Sequence, residues 1–337
     1  MKAFGHRQNL PLTAPEALLA LDLPRPEPKG RDLLVEIRAV SVNPVDVKLR
    51  GGRAVPEGEA RVLGYDAAGV VVATGPEATL FRPGDAVFYA GDISRPGSNA
   101  EFQLVDERIV GPKPASLDFA AAAALPLTTL TAWEMLFDRF GLAEGGGEGQ
   151  HLLLVGAAGG VGSIALQLAR QRTKLHITAT ASRPETVEWV KAQGAHAVVD
   201  HRLPLDQALR DAGLPQPELI FAINGTEGHF PALAAALAPQ GRIGVIDDPK
   251  SLDIGLLKSK SASFHWEFMF TRAAYATPDM QRQHAILAEA ARLVDAGTLR
   301  STLSEVMGPI DLPTLREAHR RLEAGTARGK LVLQGFA

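Results

Sequence analysis

The sequence predicts an α/β protein built in two parts: a β-rich domain, then a doubly wound parallel sheet. Three observations carry this. The first third shows short, partly alternating apolar segments between tight turns, with no long helix. From His151 onward, nearly all-apolar strands alternate with helical stretches, as in a parallel sheet covered on both faces. At 337 residues the chain is also long for a single core.

The β-rich part reads as follows. Leu33–Val40 alternates partly, as a strand with one buried face does. Gly69–Ala73 is a second apolar run, closed by Thr74-Gly75-Pro76. Pro83-Gly84-Asp85 turns the chain into Ala86–Tyr89, and Ala100–Val105 alternates again. The pattern changes near residue 117, where Leu117–Ala124 and Thr128–Phe140 look helical before a Gly- and Glu-rich connector, Gly141–Gln150. Strands are then expected at His151–Val155, Leu175–Ala181, Ala197–Val199, Glu218–Ile223 and Arg242–Ile246. Helices are expected between them at Val161–Arg170, Pro184–Gln193, Leu205–Ala212 and Gly228–Ala238. Ser263–Phe270, helices at Met280–Ala296 and Pro313–Ala324, and a last strand, Lys330–Leu333, complete the chain.

Composition narrows the function classes. Hydrophobic residues make up 46% and charged residues 22%, the balance of a soluble globular chain. A net charge of −3 with interspersed signs gives no nucleic-acid face and no basic membrane patch. Met1–His6 lacks the apolar core of a secretory leader, and Phe119–Leu130 is mostly alanine and cut by Pro126. The expectation is a cytoplasmic protein with no membrane partner. There is no cysteine, so no disulfide, thiolate nucleophile or cysteine-ligated zinc can form. None of the nine histidines forms a compact ligand pair with another, and no metal ligand is assigned.

Gly156-Ala157-Ala158-Gly159-Gly160-Val161-Gly162 places small residues at positions 157, 159 and 162, directly after a strand and at the start of a helix. Gly159 lets backbone approach a pyrophosphate, and Gly162 lets the helix pack on the strand. Gly160 and Val161 open the helix, whose unpaired N–H groups attract phosphate. In that context the loop reads as a dinucleotide site. The next strand ends Thr180-Ala181-Ser182-Arg183, with no acid to take a ribose 2′-hydroxyl. A hydroxyl followed by a guanidinium suits a 2′-phosphate, so NADPH is expected over NADH. Ser182 also reads as the cap of the following helix. His201, after the third strand, is placed beside the adenine ribose. The backbones at Asn224 and Asp247, after the fourth and fifth strands, are placed along the cofactor.

The motifs Ser41-Val42-Asn43-Pro44-Val45-Asp46, Leu63-Gly64-Tyr65-Asp66-Ala67-Ala68-Gly69, Arg82-Pro83-Gly84-Asp85, Gly156–Gly162 and Gly329-Lys330-Leu331 resemble the medium-chain dehydrogenase/reductase superfamily over the whole chain. Within it the chain is similar to the zinc-independent quinone oxidoreductase branch. Gly97–Glu101, Ala181–Thr186 and His265–Phe270 resemble a bacterial subgroup labelled zinc-type alcohol dehydrogenase-like. The resemblance implies a GroES-like β-barrel-type catalytic domain over residues 1–126 and 270–337. It implies a Rossmann NADPH-binding domain over 127–269. Zinc-dependent members carry Cys near Asn43 and a Gly-His-Glu triplet where this chain has Gly64-Tyr65-Asp66, and the structural zinc lobe is missing. Lys48 stands where many quinone-active members have Tyr.

The resemblance therefore implies metal-free hydride transfer from NADPH to a quinone or an enone. Charge developing on the acceptor oxygen needs hydrogen-bond donors; Asn43, Tyr65 and Lys48 are the candidates, with Asp46 orienting its neighbours. Thr131 and Lys330 are further cofactor-side candidates; Lys330 also reads as an exposed strand residue. The aromatic run Phe264–Phe270 resembles the family segment between substrate pocket and dimer contact, and a homodimer is expected. Two other readings stay open: an NADPH-binding sensor or structural protein with little turnover, and an alcohol or aldehyde oxidoreductase.

Overall fold

The computed structural model describes residues 1–52 and 54–337. These fall into two units, Met1–Leu130 with Phe270–Ala337, and Thr131–Met269. The sequence expectation divides the chain after residue 126; the structure divides it after Leu130.

The first unit opens with β1 (Lys2–His6), β2 (Leu19–Asp22), β3 (Asp32–Ser41), α1 (Pro44–Gly52), β4 (Arg61–Val62), β5 (Ala67–Thr74), β6 (Ala86–Tyr89), β7 (Phe102–Asp106) and β8 (Gly111–Pro112). Helix α1 is a correction to the purely β reading of this region. Pro44 supplies the fixed φ that suits a first helical position, and the Asp46 carboxylate reaches back to accept the Asn43 N–H at 2.8 Å. The motif Asn43-Pro44-Val45-Asp46 is a helix start. Helices α2 (Phe119–Ala123) and α3 (Pro126–Trp133) follow, continued by a π-helical segment, Glu134–Arg139. Pro126 starts α3 rather than ending the helical run. The run Phe119–Arg139 is long and apolar enough to cross a membrane by length and composition alone, but 89% of its most apolar window is buried inside the protein, as a core helix is.

The second unit contains β9 (His151–Val155), α4 (Gly160–Arg172), β10 (His176–Thr180), α5 (Pro184–Gln193), β11 (Ala197–Val199), α6 (Leu205–Asp211), β12 (Leu219–Ala222), α7 (Thr226–Ala236), β13 (Arg242–Val245) and β14 (Ser263–Trp266). The strands form one six-stranded sheet in the order β11-β10-β9-β12-β13-β14, with every pairing parallel. Leu152, Leu153, Leu154, Ile220 and Phe221 are fully buried, which is why these strands read as unbroken apolar runs. The order reverses beside β9, so the loop after β9 lies at the topological switch point.

One local expectation fails here. Arg183, not Ser182, is the N-cap of α5. Pro184 takes the first helical position, and Thr186 accepts the Arg183 N–H at 3.2 Å.

A buried charge cluster ties the π-helical segment to the end of β14. Arg139 Nε meets Glu267 Oε2 at 2.7 Å, and its Nη2 lies 4.0 Å from Glu134 Oε2; both glutamate side chains are almost fully buried. Burial and the neighbouring Glu134 push the Glu267 carboxyl up to about 8.

The returning segment completes the first unit with α8 (Thr271–Ala274), α9 (Arg282–Asp295), β15 (Leu303–Ile310), α10 (Leu312–Glu323) and β16 (Lys330–Phe336). Strand β16 inserts between β15 and β3 in the larger, seven-stranded sheet. Val332 stands opposite Ser41 and Leu333 opposite Val40.

Candidate functional site

In the second unit the glycine turn is fixed from three sides. Gly156 adopts φ +80° and donates its N–H to Thr180 Oγ1 at 3.1 Å. A Cβ at Gly156 would come 2.4 Å from Asn224 Oδ1, so Asn224 lies directly against the turn. A Cβ at Gly162 would fall 2.5 Å from the Ala157 backbone; α4 and β9 approach as closely as a missing side chain allows. Ala157 is buried in this contact. Gly159 is the opposite case: a Cβ there would meet only Gly156 O at 3.6 Å, so its backbone faces open space. The first turn of α4, with Gly160 and Val161 half-buried, is braced from inside. Ser163 donates to Gly159 O at 2.7 Å and accepts from Trp189 Nε1 at 2.8 Å. The result is a rigid helix N-terminus with unpaired N–H groups beside an accessible glycine backbone, a cradle that fits a pyrophosphate.

The other cofactor-side candidates Ser182, Arg183, His201, Asp247 and Thr131 lie in the same unit. Ser182 is half-buried and Arg183 exposed, with Arg183 Nε 3.2 Å from Glu185 Oε1. His201 is half-buried; burial and the cations near it lower its pKa, against the opposing pull of Asp200. Asp247 accepts the Thr226 N–H at 2.9 Å and the Thr226 hydroxyl, so its carboxylate anchors the start of α7 to the end of β13. Thr131 is buried at the start of this unit.

In the first unit a buried polar network forms around Asp66. Asn43 Nδ2 donates to Asp66 Oδ2 at 2.9 Å, Tyr65 O at 3.2 Å and Ser41 O at 3.3 Å. Lys330 Nζ donates to Val42 O at 3.0 Å and to Asn43 Oδ1, and pairs with Asp66 Oδ2 at 3.0 Å. The other Asp66 oxygen accepts the Leu127 N–H at 2.8 Å. Asp46 accepts the N–H groups of Asn43 and Gly64 at 2.8 and 2.9 Å. Burial raises the pKa of both acids, Asp46 to about 7, against the pull of Lys330 and the donated hydrogen bonds. Tyr65 is wholly buried, its ring edge-on to Phe270 with centroids 5.5 Å apart.

This geometry changes how two residues are read. Lys330 is 3% exposed, not a surface strand residue, and its three ammonium donors are spent inside the unit. Asn43 has both amide N–H groups and its carbonyl committed to the network, so it positions Asp66 and the Tyr65 backbone rather than standing as a spare donor. Lys48 lies exposed on α1. Asp66, the centre of the network, is the residue that sequence reasoning passed over. Its signal was the acid kept at the third position of Gly64-Tyr65-Asp66.

The network also tests the fit of a zinc ion. The position of the usual cysteine holds Asn43, whose carbonyl accepts from Lys330, and the triplet acid is already paired with that ammonium. Among the described residues, no group of three His, Cys, Asp or Glu side chains could hold a metal. A cation at this position would face Lys330, and the donor set does not fit zinc.

Known proteins match along the whole chain. The family described as alcohol dehydrogenase GroES-like domain matches residues 29–115, and that described as zinc-binding dehydrogenase matches residues 193–333. A zinc-type alcohol dehydrogenase-like protein of Staphylococcus epidermidis is 38% identical over 99% of both chains. The human mitochondrial NAD(P)H oxidoreductase RTN4IP1 is 30% identical over 90% of this chain and 81% of its own. A solved structure of a putative zinc-dependent alcohol dehydrogenase protein from Rhizobium etli superposes with a TM-score of 0.96 at 54% identity, covering 100% of this chain and 98% of that one.

Proposed function

Because the chain belongs to the medium-chain dehydrogenase/reductase superfamily of oxidoreductases, we propose that it is a metal-free, NADPH-dependent reductase of quinones or α,β-unsaturated carbonyls. One observation carries the reading: the braced glycine turn at the switch point, followed by a strand that ends in Ser182-Arg183 with no acid. The human relative named an NAD(P)H oxidoreductase supports a nicotinamide cofactor here. The pyrophosphate is held by the backbones of Gly159, Gly160 and Val161, and the 2′-phosphate by Ser182 and Arg183. Bound there, the reduced nicotinamide supplies hydride.

The residues of the first unit handle the acceptor. Asn43, Asp46, Asp66 and Lys330 fix the backbone of Gly64–Asp66, and Tyr65 and Lys48 are the donors toward the acceptor oxygen. The chemistry uses no zinc, in keeping with the donor set around Asp66. The chain is also proposed to pair with a second copy along β14, an edge strand of the sheet, where Trp266 and Phe268 are about half exposed.

The test is an NADPH-oxidation screen over quinones, enones and aldehydes, with titration of both cofactors. Consumption with a quinone or enone is expected. Arg183→Ala should weaken NADPH about 10- to 100-fold, the worth of one charged hydrogen bond, and spare NADH. Unchanged NADPH affinity would defeat the assignment. Binding without consumption would replace the reductase with a sensor, and turnover of alcohols that depends on added metal would replace it with a metal-dependent dehydrogenase.

A further inference from the structure

Three histidines meet at the end of the second unit's sheet opposite the glycine turn. His151 opens β9, His176 opens β10, and the parallel register sets them side by side. Their ring centroids lie 5.0 Å apart. His196, just ahead of β11, stacks on His176 at 4.9 Å with the planes 23° apart. The ladder is tied into the backbone. His196 donates its N–H to Ile177 O at 2.8 Å, and its Nδ1 accepts the Ile177 N–H at 2.9 Å. Strand β11 is an edge of the sheet, so the His196 ring extends the pairing of that edge by one residue. His151 Nδ1 and His176 Nε2 are buried, with no hydrogen-bond partner among the described residues. Arg170, on α4, stands against His196 Nε2. Glu218, ahead of β12, spends Oε2 on the His151 N–H at 2.7 Å. Lys174 and Arg172, just ahead of β10, pair with Glu148 and Glu144 at 2.8 and 3.0 Å. The His176 and His196 rings are stacked rather than convergent, and among the described residues no group of three His, Cys, Asp or Glu side chains could hold a metal.

We propose that the His151–His176–His196 ladder is an acid-operated latch on the second unit: neutral, it ties the entry of β11 to β10; protonated, it lets that edge of the sheet go. The inference goes beyond the function proposed above and does not rest on the cofactor assignment. His196 Nδ1 accepts the Ile177 N–H only while it carries no proton. Protonated, it meets that N–H as a second donor, and the bond is lost. The imidazolium then stands against Arg170 and the His176 ring. Burial, then Arg170 and His176, hold His196 below its ordinary 6.5; burial, then His151, hold His176 below it. A histidine with a lowered folded pKa binds its proton more tightly when unfolded. Its stabilisation is full above about pH 7.5 and drains as pH falls through the unfolded value toward the folded one. His196 is exposed, so protons reach the ladder at that end. Acid therefore loosens the unit that carries the glycine turn, beginning at β11.

All three tryptophans, Trp133, Trp189 and Trp266, lie in the second unit, so their fluorescence follows its unfolding. The experiment unfolds the full chain in urea at pH 7.5 and pH 5.5, as parent, His196→Asn and His176→Gln. Hydrogen exchange without denaturant, corrected for intrinsic rates, is read at both pH values. Each histidine held neutral in the fold lets the unfolding constant rise by at most about tenfold over that interval. Asparagine at 196 keeps an acceptor for the Ile177 N–H and does not titrate. The unfolding constant of His196→Asn should therefore rise about five- to tenfold less than that of the parent, and that of His176→Gln likewise. In the parent at pH 5.5, exchange protection should fall about tenfold at Ile177 and along β11 before it falls in β12 and β13. Parental pH dependence in both variants overturns the latch. Protection lost evenly across the six strands overturns it as well. Where His196→Asn does not fold, His176→Gln decides by the same measure.

Discussion

Replacing Glu134 by glutamine removes one of two carboxyls that share Arg139 beneath the end of β14. In the parent, burial and then Glu134 raise the Glu267 carboxyl from 4.5 to about 8. An acid with a raised folded pKa binds its proton more tightly in the folded state. Its cost is absent below about pH 4.5, grows as pH rises and is complete above about pH 8. At about 1.4 kcal/mol for each tenfold in proton affinity, the ceiling on this loss is about 5 kcal/mol. Burial is the larger cause and stays in the variant; the repulsion from Glu134 goes. Glu134→Gln should therefore lose about 1–2 kcal/mol less stability than the parent between pH 5 and pH 9. Urea unfolding of both proteins at the two pH values measures this, because comparing variant with parent at each pH cancels every other titrating group. The same pH dependence in both, or a steeper fall in the variant, would refute the account in which Glu134 repels the Glu267 carboxylate.

Other outcomes follow from the same contacts. Gly162→Ala should push α4 off β9, destabilising the second unit by about 1–3 kcal/mol in thermal melts and lowering cofactor affinity. Lys330→Met strands the buried Asp66 carboxylate and should cost about 3–5 kcal/mol. The double variant with Asp66→Asn should recover part of that loss, and failure to recover any would mean the pair is not coupled. Tyr65→Phe should cut turnover about 10²–10³-fold with the best acceptor; full turnover would remove Tyr65 from the acceptor side.

How legible was this molecule in its sequence? The second unit was nearly all readable, because strands buried on both faces leave unbroken apolar runs and Gly156, Gly159 and Gly162 each answer to a named clash or an open face. Helix α1 was missed because Asn43-Pro44-Val45-Asp46 was read as a motif and not as a cap, although Asn, Pro and a third-position acid are helix-start chemistry. The Asp66 network was hidden for another reason. Its members come from the start of α1, the loop leading into β5, the start of α3 and the start of β16, and no local pattern reports a partner that distant in sequence. The Glu134–Glu267 pair was invisible for the same reason, with a π-helical segment added that no periodicity announces.

The insertion of β16 between β15 and β3 has a consequence for the order in which the protein is made. Residues 131–269 are contiguous and can meet all their own partners within the unit once Met269 has been made. The first unit cannot. Until Lys330 emerges, Asp66 and Asn43 lack their cation, and β3 waits with a bare edge where Val332 and Leu333 belong. Strand β16 closes the unit that Met1–Leu130 begins, so a chain halted before Lys330 would leave that sheet open and aggregation-prone.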